Sequence, residues 1–314
     1  MNVYRDISEV KRNVNTAITV GTFDGVHLVH RQILNKVLVL SKQNNLRCFV
    51  VTFEPHPQEV LKTKTPDIKL LTSIDEKLRL LEKCGIENVL VIRFTEQFSK
   101  TEPREFYKKY VFGQIGLCDL IIGYDHLFGR DRGGDFNTLL DLGKEFGFKV
   151  HRVEEIDVDG RPVSATRIRK ALAEGKIEEA NKLLGYEYSF DGIVVEGDKV
   201  GRAIGYPTVN LKFAKENKVM PNDGIYCVKV VYNNDVYYGM MYHGVRPTLT
   251  QGLKSALEVH IFDFDKTIYG EKLTISFLTK LRDDRKFNSK EELIEQINKD
   301  KENSLKFLSI KLKL

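Results

Sequence analysis

The stretch "TAITVGTFDGVHLVHRQIL" (residues 16–34) joins a strand pattern to a helix pattern through a glycine turn. Residues 16–20 are apolar or β-branched and run directly into Gly21. The helix pattern then begins with two histidines three positions apart, His27 and His30. Open α/β sheets bind their ligands beyond the carboxyl ends of the strands, where turns of this kind lie. The stretch therefore predicts a strand, a ligand-binding turn and a helix of an α/β domain.

The rest of the first half repeats this alternation. Further strand-like runs cover residues 47–53, 88–94, 118–123 and 148–153, and helix-like runs between them include 28–43, 74–84 and 135–146. Apolar strands separated by helices are typical of a parallel sheet covered on both faces. We predict an α/β, doubly wound parallel sheet.

The pattern changes near residue 185. The runs "YSFDGIVVEG", "IYCVKVVY", "DVYYGMMYHG" and "ALEVHIFDF" are short strand candidates, and "NND" (233–235) is a hairpin turn signal between two of them. They predict an antiparallel barrel or sandwich, followed by a C-terminal helix over 289–308. Since 314 residues exceed one ordinary domain, we expect two, covering 1–185 and 186–314.

Charge and cysteine content restrict the classes of partner. The net charge of +5 arises from 49 basic and 44 acidic residues, an excess that suits phosphorylated ligands but is too diffuse to indicate nucleic acid. The 4 cysteines are isolated from one another, which argues against zinc sites and disulfides and favours a reducing compartment.

The N-terminus has no apolar signal region and no segment is apolar enough to span a bilayer, so we expect a cytoplasmic protein without a membrane partner.

The turn after the first strand has the features of a phosphate site. Its backbone N–H groups and the N-terminus of the following helix would attract an anion. His27 and His30 share a helix face, from which two imidazoles could bind nucleotide phosphates and stabilise charge on a pentacoordinate phosphorus. The alternative is a pair of surface histidines at a helix start, which the strand and the glycine turn disfavour.

A second motif, "VSATRIRKAL" (163–172), begins another helix. Ser164 and Thr166 are helix-capping types, and Arg167 and Arg169 follow them. Hydroxyls, free backbone N–H groups and arginines at one helix start suit phosphate, although alone such a start is usually a solvated face. Beside the first turn, the motif predicts the other wall of a nucleotide cleft.

These motifs resemble those of a known family. "GTFDGVHLVH" resembles the GxFDGVHxGH signature of HxGH nucleotidyltransferases, and "VSATRIR" resembles their SSTxIR element. With "VTFEPHP" (51–57), residues 70–94 and "IIGYDHLFGRDRGGD" (121–135), the first half looks like the adenylyltransferase module of bacterial bifunctional riboflavin kinase/FAD synthetases. In the second half "GDKVGRAIGYPTVNL" (197–211), "GVRPTL" (244–249) and "LEVHIFDFD" (257–265) resemble the riboflavin kinase module.

The resemblance implies two reactions. The second half would phosphorylate riboflavin with ATP to give FMN, and the first half would transfer AMP from ATP to FMN, giving FAD and pyrophosphate. It implies ATP, riboflavin and FMN as substrates and Mg²⁺ or a similar divalent cation as cofactor. Rival hypotheses are a kinase alone and a non-catalytic flavin- or nucleic-acid-binding protein, and the absence of an aromatic–basic stacking platform disfavours the latter.

The resemblance also assigns residues to roles. Catalytic roles fall to His27, His30 and Glu258, the last as the base for the ribityl 5′-hydroxyl. The nucleotide-binding residues are Gly21, Thr22, Phe23, Gly25, Ser164, Thr166 and Arg169 in the first half and Gly201, Arg202, Gly205 and Thr208 in the second. Thr208 and Asn210 would hold the cation, and Pro55, His56, Pro57, Asp125 and Arg246 would border the flavin.

Physical reasoning supports the kinase assignments. Proline disrupts a central strand, so "PTVN" suits a strand start that faces a ligand, and Thr208 and Asn210 offer neutral oxygens for Mg²⁺. Alternation in "LEVHIFDFD" predicts that Glu258, His260, Phe262 and Phe264 share one strand face. Without the resemblance, Glu258 could equally be a plain outward strand residue.

The chain departs from the family pattern at four positions. Val29 replaces the glycine of HxGH, and Ala165 replaces the middle serine of SSTxIR. Tyr242 and His243 stand where the family usually has Asn before the GxRPT turn. The valine would either crowd the nucleotide or pack into the helix interface, and we favour packing.

Overall fold

The computed structural model describes residues 1–61, 68–124, 134–197, 200–213, 217–248 and 252–312. It divides into two compact units, Met1–Ala165 and Thr166–Leu314. The second unit begins with two helices that precede the barrel, and the Asn181 amide donates to the Phe277 carbonyl of a barrel strand at 2.9 Å. The domain boundary expected from sequence at residue 185 stays a prediction.

The first unit is built on a six-stranded sheet. Its strands are β1 (Asn2–Tyr4), β2 (Thr16–Val20), β3 (Arg47–Glu54), β4 (Asn88–Arg93), β5 (Asp119–Gly123) and β6 (Lys149–Val153). The strand order is β1-β4-β3-β2-β5-β6, and every pairing is parallel. The order reverses at β2, which lies between β3 and β5, so the crevice of a doubly wound sheet opens beyond the carboxyl end of β2.

Helices connect these strands. They are α1 (Leu28–Asn44), α2 (Pro57–Leu61), α3 (Ile74–Lys83), α4 (Glu96–Ser99), α5 (Pro103–Phe106), a π-helical segment (Tyr107–Ile115) and α6 (Phe136–Phe146). Helix α3 begins with a capping box, in which Ser73 and Glu76 each bond the other's backbone N–H. The unit ends with a short hairpin, β7 (Asp157–Val158) and β8 (Arg161–Pro162).

The core of the first unit explains its strand pattern. All five residues of β2 are buried, and Ile18 and Phe49 are fully buried within one apolar cluster on the sheet. A strand buried on both faces reads as a continuous apolar run, as parallel sheets require. Among the described residues, no helix combines the length and apolar character that crossing a membrane requires.

The second unit is a closed barrel. Its strands are β9 (Ser189–Val195), β10 (Val209–Phe213), β11 (Gly224–Tyr232), β12 (Asp235–Thr248), β13 (Gly252–Ile261) and β14 (Lys272–Arg282). They close in the order β10-β13-β12-β11-β14-β9 with antiparallel pairing throughout. Its helices are α7 (Ala165–Ala173), α8 (Ile177–Leu184), α9 (Val200–Ala203) and α10 (Lys290–Leu312). The predicted fold class is thus confirmed, with a barrel rather than a sandwich.

Local backbone geometry confirms one strand prediction and corrects another. Asn233 and Asn234 both have positive φ (49° and 69°), as the tight turn between β11 and β12 requires. Strand β13 ends at Ile261, however, and a turn with Asp263 at φ 51° follows. The prediction that Phe262 and Phe264 continue the strand face of Glu258 and His260 is therefore wrong, because the strand stops before them.

A buried ion pair attaches α10 to the barrel. Arg282, the last residue of β14, donates to both carboxylate oxygens of Asp300 at 2.8–3.0 Å. Gln296 also donates to Asp300 at 2.8 Å, and Asp300 is only 2% exposed. The guanidinium fork matches the carboxylate in two places, which fixes the angle at which the helix meets the strand end.

We expect Asp300→Ala to lower the free energy of unfolding of the second unit by about 3 kcal/mol, because it leaves the Arg282 charge buried without its carboxylate. Urea denaturation followed by circular dichroism measures the change. Glu302→Ala on the exposed face of the same helix is the matched control and should be neutral. Equal unfolding midpoints for the two variants would contradict the anchoring role.

Candidate active sites

The turn after β2, residues 21–27, is tightly folded and is called the phosphate turn below. A Cβ atom on Gly21 would lie 3.1 Å from the ring of Phe23, so glycine lets that ring fold back without a shift. Phe23 is 1% exposed and, like Gly25 and Val26, has positive φ (49°, 78° and 36°). Two non-glycine residues in this strained region indicate that the surrounding contacts impose the shape of the turn.

The two histidines meet at the start of α1. The rings of His27 and His30 stack with centroids 3.7 Å apart and an interplanar angle of 18°. Phe23 packs edge-on against His30 at 5.1 Å. Burial, followed by the charges of His27 and Lys77, holds the pKa of His30 well below its ordinary value. The ring is thus neutral near pH 7 before an anion binds, and a phosphate would favour its protonation.

A buried carboxylate, absent from the predicted site, holds the phosphate turn in place. Asp24 is 3% exposed, and it accepts from the backbone N–H of Leu71 (3.0 and 3.1 Å) and of Thr72 (3.0 Å). In return, the Gly25 N–H donates to the Thr72 hydroxyl at 3.1 Å. The turn is therefore tied to the segment that leads into α3. The only signal in the sequence is the aspartate inside the quoted FDG motif.

The segment after β3, residues 54–59, is called the flavin-side turn below, after the role that the resemblance implies for it. It lies at the carboxyl end of the strand beside β2, and its Glu54–Pro55 peptide is cis. The backbone N–H of the buried His56 donates to the Glu59 carboxylate at 2.8 Å. The His56 Nδ1 atom accepts from the Gln58 N–H at 3.2 Å. Helix α2 begins at Pro57, between these residues. The Thr52 hydroxyl donates to the Thr22 carbonyl at 3.2 Å, which joins the end of β3 to the phosphate turn.

Other predicted residues of the first half have different places. Asp125 lies outside the described residues. Ser164 is the next-to-last residue of the first unit, whereas Thr166 and Arg169 lie on α7 in the second, so their role beside the phosphate turn stays a prediction. Arg167 donates to Glu179 of α8 at 3.0 Å, a contact within the second unit.

The second unit brings three predicted residues together. Asn210 of β10 is the cross-strand partner of Glu258 on β13, and the Thr208 hydroxyl donates to the Glu258 carboxylate at 3.5 Å. Leu257 and Val259 are buried (3% and 0% exposed), so Glu258 faces the other side of the strand. Glu258 can point outward from the barrel and still belong to the candidate site, because that site lies on the outer face of the barrel wall.

Glycines permit close backbone approach around this cluster. A Cβ on Gly197 would lie 2.1 Å from the Asn210 amide nitrogen, and a Cβ on Gly201 would lie 2.3 Å from the Tyr206 carbonyl. Gly205 has φ 83°, a conformation that favours glycine. Arg202 and Thr208 line a cavity of about 100 Å³, together with Pro207 and residues 264–269 among others.

A larger cavity of about 640 Å³ lies near the start of α10. It is lined by Ile204, Arg285, Lys286, Phe287, Ser289, Lys290 and Leu293. Tyr242 is a cross-strand partner of Glu258, and its hydroxyl donates to Asp284 at 3.0 Å, one residue before this lining begins. Tyr242 is thus a neighbour of Glu258 across the strands and a partner of Asp284, which precedes Arg285 of the lining. Arg246 belongs to β12, but its side chain lies outside the described part.

Comparison with known proteins decides the family. Residues 9–167 match the family profile described as FAD synthetase, and residues 184–308 match the one described as riboflavin kinase. The chain is 36% identical over 314 residues to the bifunctional riboflavin kinase/FMN adenylyltransferase of Buchnera aphidicola subsp. Schizaphis graminum, covering 99% of this chain and 100% of the relative. The chain belongs to the bifunctional riboflavin kinase/FMN adenylyltransferase family.

Further relatives agree with this assignment. Proteins of the same name from Listeria monocytogenes and Escherichia coli K12 are 35% and 34% identical, covering 95% and 93% of this chain and 94% and 93% of the relatives. A solved Streptococcus pneumoniae structure, titled a macrolide-efflux protein, has a TM-score of 0.87 at 31% identity and covers 96% of this chain and 97% of its own. Its title names another activity, but its chain shares this fold over both units.

As a member of the family, the protein phosphorylates riboflavin to FMN and adenylylates FMN to FAD. The predicted family, the two activities and the three substrates are confirmed. The alternatives of a kinase alone and of a non-catalytic binding protein are set aside.

The valine within the HxxH motif packs inside the unit. Val29 is 5% exposed and shares the buried face of α1 with Ile33 and Val37. We therefore expect Val29→Gly to lower the free energy of unfolding by about 2 kcal/mol, since burying a valine side chain contributes roughly 1.5–3 kcal/mol. Chemical denaturation and FAD synthesis are measured together.

The matched control is Val39→Gly on the same helix, where the side chain is 38% exposed. It carries the helix-propensity cost of about 1 kcal/mol but little loss of burial. Faster FAD synthesis by Val29→Gly without destabilisation would show instead that the valine crowds the nucleotide.

Proposed function

We propose that the phosphate turn binds the ATP used in adenylyl transfer, with His27 and His30 as its catalytic residues. The stacked histidine pair at the strand-order reversal of the sheet is the observation that carries this proposal. Gly21, Thr22, Phe23 and Gly25 would shape the turn around the phosphates, and Ser164, Thr166 and Arg169 would supply its other wall. The protein would act in the cytoplasm, without a nucleic-acid partner.

In this proposal a phosphate oxygen of FMN attacks the α-phosphorus of ATP, and pyrophosphate leaves. Charge accumulates on the oxygens of the pentacoordinate phosphorus, and imidazole N–H groups at the helix start offset it. Burial increases the effect, because a low local dielectric strengthens each interaction. Pro55, His56 and Pro57 of the flavin-side turn, with Asp125, would hold FMN at the adjacent strand end.

For the kinase reaction, Glu258 is the proposed general base. It would accept the proton of the ribityl 5′-hydroxyl as that oxygen attacks the γ-phosphorus of ATP, and ADP would leave. The contact with Thr208 and the pairing with Asn210 support this role. Gly201, Arg202 and Gly205 would surround the ATP phosphates, in a turn so tight that a Cβ at Gly201 would lie 2.3 Å from the Tyr206 carbonyl.

Thr208 and Asn210 would hold Mg²⁺ or a similar divalent cation. They fit it because they offer neutral oxygens beside a carboxylate, and Mg²⁺ takes few protein ligands and keeps several phosphate and water oxygens. Gly197 keeps the space beside the Asn210 amide free of a side chain. Bound there, the cation would neutralise charge on the transferred phosphoryl group.

The cavity of about 640 Å³ is the proposed riboflavin site. Its volume lies within the range of roughly 300–1,000 Å³ usual for small-molecule sites. Phe287, Ile204 and Leu293 supply apolar surface for the flavin ring. Tyr242, the cross-strand neighbour of Glu258, donates to Asp284, one residue before Arg285 of the cavity wall. Arg246 would border the flavin from β12.

A crossed pair of variants tests both sites. His30→Ala should lower FAD formation from FMN by about 10²–10³ because one transition-state donor is lost, and leave riboflavin phosphorylation unchanged. Glu258→Gln should lower riboflavin phosphorylation by about 10²–10⁴ because an amide cannot accept the proton, and spare FMN adenylylation. Each variant is assayed once with riboflavin and once with FMN, with ATP and Mg²⁺ present, and products are separated by chromatography.

Each variant is the folding control for the other, since the unaffected reaction reports an intact chain. Parent-rate FAD synthesis by His30→Ala would remove the phosphate turn from the mechanism. Parent-rate FMN production by Glu258→Gln would make Glu258 an ordinary strand residue, with Asp263 and Asp265 the next candidates for the base.

A further inference from the structure

Lys77 of α3 is a buried lysine in the first unit. It is 3% exposed, although lysine is almost never fully buried unless it is paired. Its ammonium lies 3.4 Å from the Thr52 hydroxyl and 3.5 Å from the Phe53 carbonyl. Because Thr52 also donates to the Thr22 carbonyl, the ammonium is connected through one hydroxyl to the phosphate turn.

The charges around Lys77 come from both turns. Burial lowers the pKa of Lys77, while Asp24 of the phosphate turn and Glu54 and Glu59 of the flavin-side turn act in the opposite direction. Three carboxylates thus act on one cation. ATP and FMN are both anions, so without that cation the carboxylates would repel the two substrates that must approach each other.

The cation also acts on the catalytic histidine. Burial of the His30 ring lowers its pKa most, and the charges of His27 in the phosphate turn and of Lys77 in α3 lower this pKa further. Lys77, Asp24 and His30 therefore form one electrostatically coupled group. We therefore expect a change of charge at position 77 to shift the protonation equilibrium of His30.

We propose that Lys77 is a positioning residue for adenylyl transfer, which holds the phosphate turn against the flavin-side turn so that FMN meets the α-phosphorus in line. The proposal rests on the assignment of the phosphate turn to ATP made above. Lys77 itself need not touch substrate, because it acts through the Thr52 hydroxyl, the Phe53 carbonyl and the Asp24 carboxylate. Displacements of about 1 Å at such a site lower rates by roughly 10²-fold.

The test uses the full chain with Lys77→Met and Lys77→Gln, which remove the charge, and Lys77→Arg, which keeps it. Lys83→Met, at an exposed position of the same helix, is the matched control. We expect both neutral variants to lower kcat/KM for FMN adenylylation by about 10²-fold and the arginine to retain at least about tenfold more activity. Riboflavin phosphorylation, measured on the same samples, should stay at the parent rate in all four.

The second readout is the pKa of His30, followed by NMR of histidine-labelled chain. It should rise in the neutral variants, because a like charge that disfavours the imidazolium has been removed, and stay near the parent value in Lys77→Arg and Lys83→Met. A purely structural lysine would lower the unfolding midpoint of the neutral variants and leave kcat/KM of the folded enzyme at the parent value. If Lys77→Met does not fold, the rate and the His30 titration are measured on Lys77→Gln, which keeps a hydrogen-bond donor.

The outcomes separate the two proposals. Parent-rate adenylylation in a folded neutral variant, or a loss of rate with an unchanged His30 titration, overturns the role of Lys77. If His30→Ala also leaves FAD synthesis intact, the site assignment itself is wrong. If His30→Ala abolishes it while Lys77→Met does not, only the role of Lys77 is rejected.

Discussion

The hydrogen bonds to the Asp24 carboxylate are the interactions on which the first site depends. Both oxygens of this buried group accept backbone N–H bonds from residues 71–72, nearly fifty positions away along the chain. They hold the phosphate turn in a conformation with positive φ at Phe23 and Val26, which the turn would leave if it were free. The stacking of His27 on His30 then follows, because the conformation of this turn fixes the position at which α1 begins.

The two units perform related phosphorus chemistry with different groups. In the proposed mechanism the first presents paired imidazoles at a helix start, with a buried lysine beside the turn that carries them. The second presents two neutral oxygens and one carboxylate, a set that suits a bound cation and a base. Adenylyl transfer to FMN needs no base to generate its nucleophile, because the attacking phosphate oxygen is already an anion. Riboflavin brings a hydroxyl, which needs a proton acceptor.

The site residues that the sequence predicts belong to short, contiguous motifs. His27, His30, Thr208 and Asn210 each stand within a few positions of a glycine turn or a strand start, and Glu258 stands in an alternating strand pattern. Lys77 was missed because "DEKLRLLEK" has the charge pattern of a solvated helix, and its burial depends on β3, which precedes it by more than twenty residues. The strand face beyond Ile261 was predicted wrongly because alternation continues into a turn, and alternation alone cannot show where the hydrogen-bonded ladder ends.

The closure of the barrel has a consequence for the life of the chain in the cell. Each of its six described strands, β9–β14, pairs on both sides, whereas the parallel sheet of the first unit ends in β1 and β6, each with one unpaired edge. Unpaired strand edges are templates for association with other chains. In a crowded cell we therefore expect edge-to-edge association of chains at the described sheet of the first unit rather than at the barrel.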